Sequence, residues 1–213
     1  MNHLQKLYKH LPTEAVEVVF KFINDFNITL RITSSRKTKL GDYMPPHKNS
    51  KSHKISVNGN LPPDFFLVVF IHELAHLMVW HNFKRAASPH GKEWKAFYGE
   101  LIRDFLNNKC FNEEMNELLY KFSFKPKATF ASDHNLWKYL KKISQPESNN
   151  IYIGDLPEGA MFTIPSGRLF QKEAKIRTRY RCKCVKTKRW FLFHPLAEIY
   201  PLSVMENQLC LVS

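Results

Sequence analysis

The 213-residue chain is 44% hydrophobic and 14% aromatic, enough for one good-sized domain or one domain with a small appendage, which excludes disorder throughout. Its 32 Lys and Arg against 19 Asp and Glu leave a formal charge of +13, so an acidic partner such as nucleic acid enters the reading, although net charge alone identifies none. The longest uninterrupted apolar run, residues 65–71, is far short of the roughly 20 residues that cross a bilayer, and the N-terminus lacks a secretory pattern, so a cytoplasmic protein with no membrane partner is expected.

Thr13 and Glu14 have the form of an N-cap with an acidic first turn, and Val16, Val19, Phe20 and Ile23 recur at helical spacing, which predicts a helix over about 13–26. Short β-prone runs at 28–32, 40–43 and 54–57, separated by Ser, Gly, Pro and Asn punctuation, predict a small antiparallel sheet. Pro62 and Pro63 then open an apolar stretch to Phe83. It is too long for a strand and has its prolines only at the start, so a buried helix is predicted. Ser88 and Pro89 read as an N-cap and first helical residue, followed by a stripe of Trp94, Phe97, Leu101, Ile102 and Phe105. A further helix is predicted over 113–122, and residues 144–150 have linker composition. Beyond them, runs at 161–164, 168–171, 176–185, 190–193 and 198–200 predict a five-stranded antiparallel unit of small-barrel type. Charge follows this division: residues 61–125 carry 8 basic and 8 acidic groups, whereas 1–60 carry 10 and 4 and 151–213 carry 10 and 5.

The chemistry centres on His72, Glu73 and His76, an H-E-x-x-H on the predicted buried helix. Four residues along an α-helix return to nearly the same face one turn on, so both imidazoles can reach one metal ion. Glu73 stands about 100° round from His72, beside such a metal without consuming a coordination position, where a general base belongs. Burying two histidines and a glutamate in an apolar helix is costly without partners, and a metal supplies them. A third ligand is needed. His81 lies half a turn away on the opposite side of the helix and is rejected. His90, four residues before Trp94 on the next apolar stripe, is aimed at the metal if that stripe packs on the metal helix, although an ordinary histidine of a first helical turn fits the same position.

On these residues the chain resembles the SprT-like metallopeptidases, the family of the Spartan DNA-protein crosslink protease. The resemblance runs through residues 36–43, 53–58 and 70–76, then Ser88, Pro89, His90, Gly91 and Trp94, and covers about residues 10–125. It implies one Zn2+ held by His72, His76 and His90, Glu73 as general base and acid, a short zincin-like domain, peptide-bond hydrolysis and, in several members, DNA binding. The chain departs from the family in its tail, where many members carry a zinc ribbon of paired cysteines. Here only Cys182, Cys184 and a distant Cys210 are present, and the pair reads as packed strand cysteines rather than a second zinc site. Four cysteines in all do not make a disulfide framework.

Lys175, Arg177, Arg179, Arg181 and Lys183 occupy every second position, which on one strand makes a continuous cationic face suited to nucleic-acid phosphates, with Phe170, Tyr180, Trp190, Phe191 and Phe193 as stacking candidates. A solvated strand face over an aromatic core fits the same pattern. The expected class is thus α+β: a zincin-like metallopeptidase domain over 1–125, a helix and linker over 126–150, and a small all-β basic domain over 151–213. The expected function is zinc-dependent hydrolysis of protein or peptide substrates, including DNA-associated or DNA-crosslinked ones, with DNA bound through the basic C-terminal domain. The alternative is a non-catalytic nucleic-acid-binding protein with a structural metal.

Overall fold

A computed structural model of the chain describes residues 3–36, 38–48, 50–146 and 151–202. The chain forms two compact units, residues 1–144 and 145–213.

The first unit begins with a short helix, α1 (His3–Tyr8), absent from the sequence-based expectation. Thr13 opens a single 3-10 turn, Thr13–Ala15, and its side chain caps nothing. The helix proper is α2 (Val16–Asp25), shorter at both ends than predicted. Asn27, with φ of 47°, turns the chain out of α2 into β1 (Ile28–Thr33), a left-handed position that asparagine tolerates well. Strands β2 (Gly41–Met44) and β3 (His53–Asn58) complete a three-stranded sheet of order β1-β3-β2. This sheet is mixed, which corrects the antiparallel expectation. β3 runs parallel to β1, pairing Ile28 with His53, and antiparallel to β2, pairing Tyr43 with Ile55. Local punctuation marks where strands end, but direction is decided by which neighbour a later strand joins.

Helix α3 (Pro63–Phe83) is the predicted buried helix. Its length and composition would suit a bilayer span, yet Phe65–Ile71 is buried without a break in the core of this unit. Helices α4 (Lys92–Asn107), α5 (Glu113–Ser123) and α6 (His134–Ser144) follow. Trp94, Leu101, Ile102 and Phe105 of the predicted α4 stripe are buried and Phe97 packs at its edge. The helix itself starts later than Ser88 and Pro89 suggested: Gly91 is its N-cap. Asn112 caps α5 by accepting a hydrogen bond from the Met115 amide at 2.9 Å.

The second unit is a six-stranded antiparallel sheet of order β4-β9-β5-β6-β7-β8. Its strands are β4 (Ile151–Tyr152), β5 (Met161–Thr163), β6 (Leu169–Ile176), β7 (Arg179–Cys184), β8 (Trp190–Phe193) and β9 (Glu198–Pro201). One strand more is present than expected, and among the described residues the end strands β4 and β8 do not pair with each other, so these strands form an open sheet rather than a closed barrel. The run predicted as one strand over 176–185 is divided. Arg177, with φ of 51°, turns the chain between β6 and β7, and Ile176 pairs with Arg179. Ile153, Phe162, Phe170, Cys182, Cys184 and Ile199 form the core.

Candidate metal centre

Helix α3 delivers His72 and His76 one turn apart on one face, as their spacing requires. His90 comes from outside any helix. Its φ of 56° places it in the left-handed region within a turn closed by the Gly91 amide donating to Ser88 O at 3.0 Å. That turn corrects the helical placement expected for His90. A helical backbone would have carried the imidazole along α4, whereas the left-handed residue swings it back over α3. Nε2 of His90 lies 3.1 Å from Nε2 of His76 and 3.2 Å from Nε2 of His72.

Mutual hydrogen bonding does not account for this convergence. A neutral imidazole nitrogen offers either one proton or one lone pair, and here one nitrogen faces two others at hydrogen-bond distance. A shared cation does account for it: donors about 2.0–2.1 Å from zinc at tetrahedral angles stand ~3.3 Å apart, close to the observed separations. One ligand atom from each histidine lies within 4.8 Å of the others, so the group could hold a metal ion. Its chemistry suits the task. Burial and the two neighbouring imidazoles push His72 down to about 3, burial and His90 push His76 down to about 4, and burial lowers His90. All three are therefore neutral at pH 7 and present lone pairs without first losing a proton.

Beneath the histidines lies a floor of aromatic rings. Trp94, fully buried, has its ring 4.7 Å from those of His72 and His90 and 5.5 Å from that of His76. Tyr98, also fully buried, is 5.4 Å from His72, and Phe130 closes the side at 6.0 Å. Among the described residues, His72 Nδ1, Trp94 Nε1 and Tyr98 Oη are buried without a protein hydrogen-bond partner. His81, rejected as a ligand, packs edge-on against Phe26 at 5.6 Å, away from the triad.

Glu73 is buried, with 7% of its surface exposed. Desolvation, aided by Asp42 and opposed by Arg36 and Lys39, pushes its carboxyl up to about 8. Its position depends on a residue that the sequence did not single out for chemistry. A Cβ on Gly41 of β2 would stand 2.5 Å from Glu73 Oε1 and 2.7 Å from Val69 Cγ1, so only glycine lets β2 cross the carboxylate this closely. The loop into β2 is itself clamped. Asn58 Oδ1 accepts from Arg36 Nε at 2.7 Å, Asn58 Nδ2 donates to the carbonyls of Arg36 and Lys39, and Arg36 also donates to Ser56 Oγ and Leu40 O. A buried asparagine bonded in this way has no signature in a single sequence, because its partners lie about twenty residues away.

The tail residues predicted for nucleic acid are not brought into one row. Lys175 is the last but one residue of β6, Arg177 sits in the turn, and Arg179, Arg181 and Lys183 share the outer face of β7. Only the last three keep the predicted alternation. Arg181 stacks over the exposed Trp190 ring at 4.5 Å and also pairs with Glu173 at 3.2 Å. Phe170 is core, and Phe191 and Phe193 pack against it. Among the described residues Cys182 and Cys184 are buried and form no disulfide, and Cys210 lies outside those residues.

The sequence profile of the SprT-like family matches residues 5–116, which spans α1 through the start of α5 and includes all four residues of the candidate centre. The chain belongs to the SprT-like family. This SprT-like chain is 51% identical to Protein SprT of Shigella boydii over 49 residues, 21% of this chain and 29% of that protein. It is 62% identical to Protein SprT of Klebsiella pneumoniae over 32 residues, 15% of this chain and 19% of that one, and 64% identical to Protein SprT of Salmonella arizonae over 31 residues, 15% and 18%. The aligned segments thus span less than a third of these relatives. No solved structure matches the chain.

Proposed function

We propose that the chain is a zinc-dependent metallopeptidase with a zincin-like first unit, hydrolysing peptide bonds of protein substrates. The reading is carried by one observation: three neutral imidazole Nε2 atoms, two from α3 and one from the turn before α4, converge within hydrogen-bond distance, and Glu73, next to His72 on α3, is buried. Zinc, when bound by His72, His76 and His90, would act as a Lewis acid that polarises the scissile carbonyl and acidifies the attacking water. Three protein donors leave one coordination position open, the pattern of catalytic sites, whereas structural zinc is closed by four.

Glu73 would take a proton from the water as the new C–O bond forms and return it to the nitrogen as the C–N bond breaks. Burial alone favours the protonated carboxyl, and a zinc cation held by the neighbouring histidines would favour the ionised form that takes the proton, while Gly41 leaves room for it against β2. Proteins associated with or crosslinked to nucleic acid are the proposed substrates. Support for that part comes from the β7–β8 face, where Arg181 and Lys183 flank the exposed Trp190.

The test is Glu73→Gln, which keeps the size of the side chain and removes its basicity. Zinc content should stay at the wild-type level while casein hydrolysis falls about 10²–10⁴-fold. Hydrolysis at the wild-type rate would overturn the mechanism. The same β7–β8 face favours a second reading, a nucleic-acid-binding protein with a structural metal. That reading predicts salt-dependent binding by the wild type with no hydrolysis, with or without single-stranded DNA.

A further inference from the structure

Residues 61–125 balance 8 basic against 8 acidic side chains in sequence, yet the fold sorts them. A cavity of about 900 Å³ opens where the first turns of α4 meet the end of α5, and Lys92, Lys95, Arg103, Lys125 and Lys127 all line it, with no carboxylate among its lining residues. Gly99 lets α4 approach α5 so closely that a Cβ there would lie 2.3 Å from Ser123 O. Arg103 reaches over this contact and donates to Ser123 O at 3.3 Å. Its guanidinium also stands 5.8 Å from the centre of the Phe124 ring. Phe124 is 62% exposed, an unusual state for phenylalanine, and Tyr120, 56% exposed, packs edge-on against it at 5.1 Å. Among the described residues, the only ion pair made by these cations is the long approach of Lys92 to Glu93, at 3.8 Å.

We infer that this cavity binds the backbone of single-stranded nucleic acid, with Phe124 as a stacking platform for a base. Five cations around an open groove with no carboxylate in its lining favour a polyanion. The exposed ring selects between polyanions. A cationic groove beside an aromatic face suits phosphates and bases presented together, whereas an acidic peptide gives the ring nothing to stack on. The site belongs to the first unit, and it is distinct from both the metal centre and the tail face, so it does not depend on the peptidase reading.

The experiment is fluorescence anisotropy of a labelled oligothymidylate with the full chain, across about 50–200 mM salt. The triple variant Lys95→Ala, Lys125→Ala, Lys127→Ala should weaken binding at least ~10-fold and make the log–log salt slope shallower by about 2, at roughly 0.7 for each phosphate no longer neutralised. Phe124→Ala should weaken it about 10-fold with the slope unchanged. The charge-conserving triple variant with arginine at the same positions should retain binding, and circular dichroism should show all variants folded. Unchanged affinity and slope in the alanine triple variant would overturn the proposal, as would no binding by the wild type. Equal binding of polyglutamate, abolished in the same variant, would also overturn it in favour of an acidic peptide.

Discussion

Helix α3, which carries His72 and His76, and the β6–β7 hairpin, which carries Lys175 through Lys183, both show regular spacing of functional side chains. Only in the helix does the spacing survive as geometry. In α3 every residue between the two histidines is held by i to i−4 hydrogen bonds, so four positions apart becomes one turn apart. In the hairpin, alternation implied one cationic face of five residues, but the chain reverses at Arg177 and leaves three of them on β7. Turn chemistry explains the difference. A strand run ends legibly at glycine or asparagine, and this turn has Arg177 in the left-handed conformation instead.

The two regions differ equally in what their cores carry, and substitutions can sharpen that difference. Trp94→Ala should have the largest effect. It removes a fully buried ring that touches all three histidines, so the first unit should lose about 3–5 kcal/mol in urea unfolding, with zinc affinity falling alongside. The transition of the second unit should not move. Gly41→Ala should come next: overpacking against Glu73 and Val69 should cost about 1–3 kcal/mol. Zinc content should be retained while hydrolysis falls, which separates displacement of Glu73 from loss of the metal.

Lys172 tests the other core. It is 4% exposed, donates to Leu156 O and lies over the Tyr180 ring at 3.9 Å, and burial lowers its amine below the ordinary 10.5. For a base whose folded pKa is depressed, the charged form is penalised on folding. The penalty is complete below the folded pKa and gone above the unfolded one. Stability of the second unit should therefore rise as pH approaches 10.5, and Lys172→Met should abolish that rise, as read from urea midpoints of the two proteins. Arg181→Ala should have the smallest effect. Its interactions with Trp190 and Glu173 are solvent-exposed, so thermal unfolding should show a loss of no more than about 1 kcal/mol.

Much of the first unit is legible in the residues alone. The buried helix from Pro63 to Phe83 follows from the length of its apolar run, and the α4 stripe from its period. The place of His90 before Trp94 marks it as a ligand candidate, but the helical backbone that this spacing implies is not the one that brings it to α3. Its reach depends on a left-handed turn. Gly41 and Asn58 fall within the segments that resemble the family, yet nothing local to them reveals a role. One makes room for a carboxylate 32 positions along the chain, and the other bonds to a loop about twenty positions before it.

That His72, Glu73 and His76 share a buried helix, with the two histidines one turn apart, follows from the residues alone, because helical hydrogen bonding acts over four residues and the pattern is local. The total charge follows from them as well. The direction of β1 against β3, the closing of the histidine triad by His90, the seat of Glu73 under Gly41, and the gathering of five cations around one groove appear only in the folded chain. Each of these joins groups far apart in the chain, and packing, not local propensity, chooses which distant groups meet.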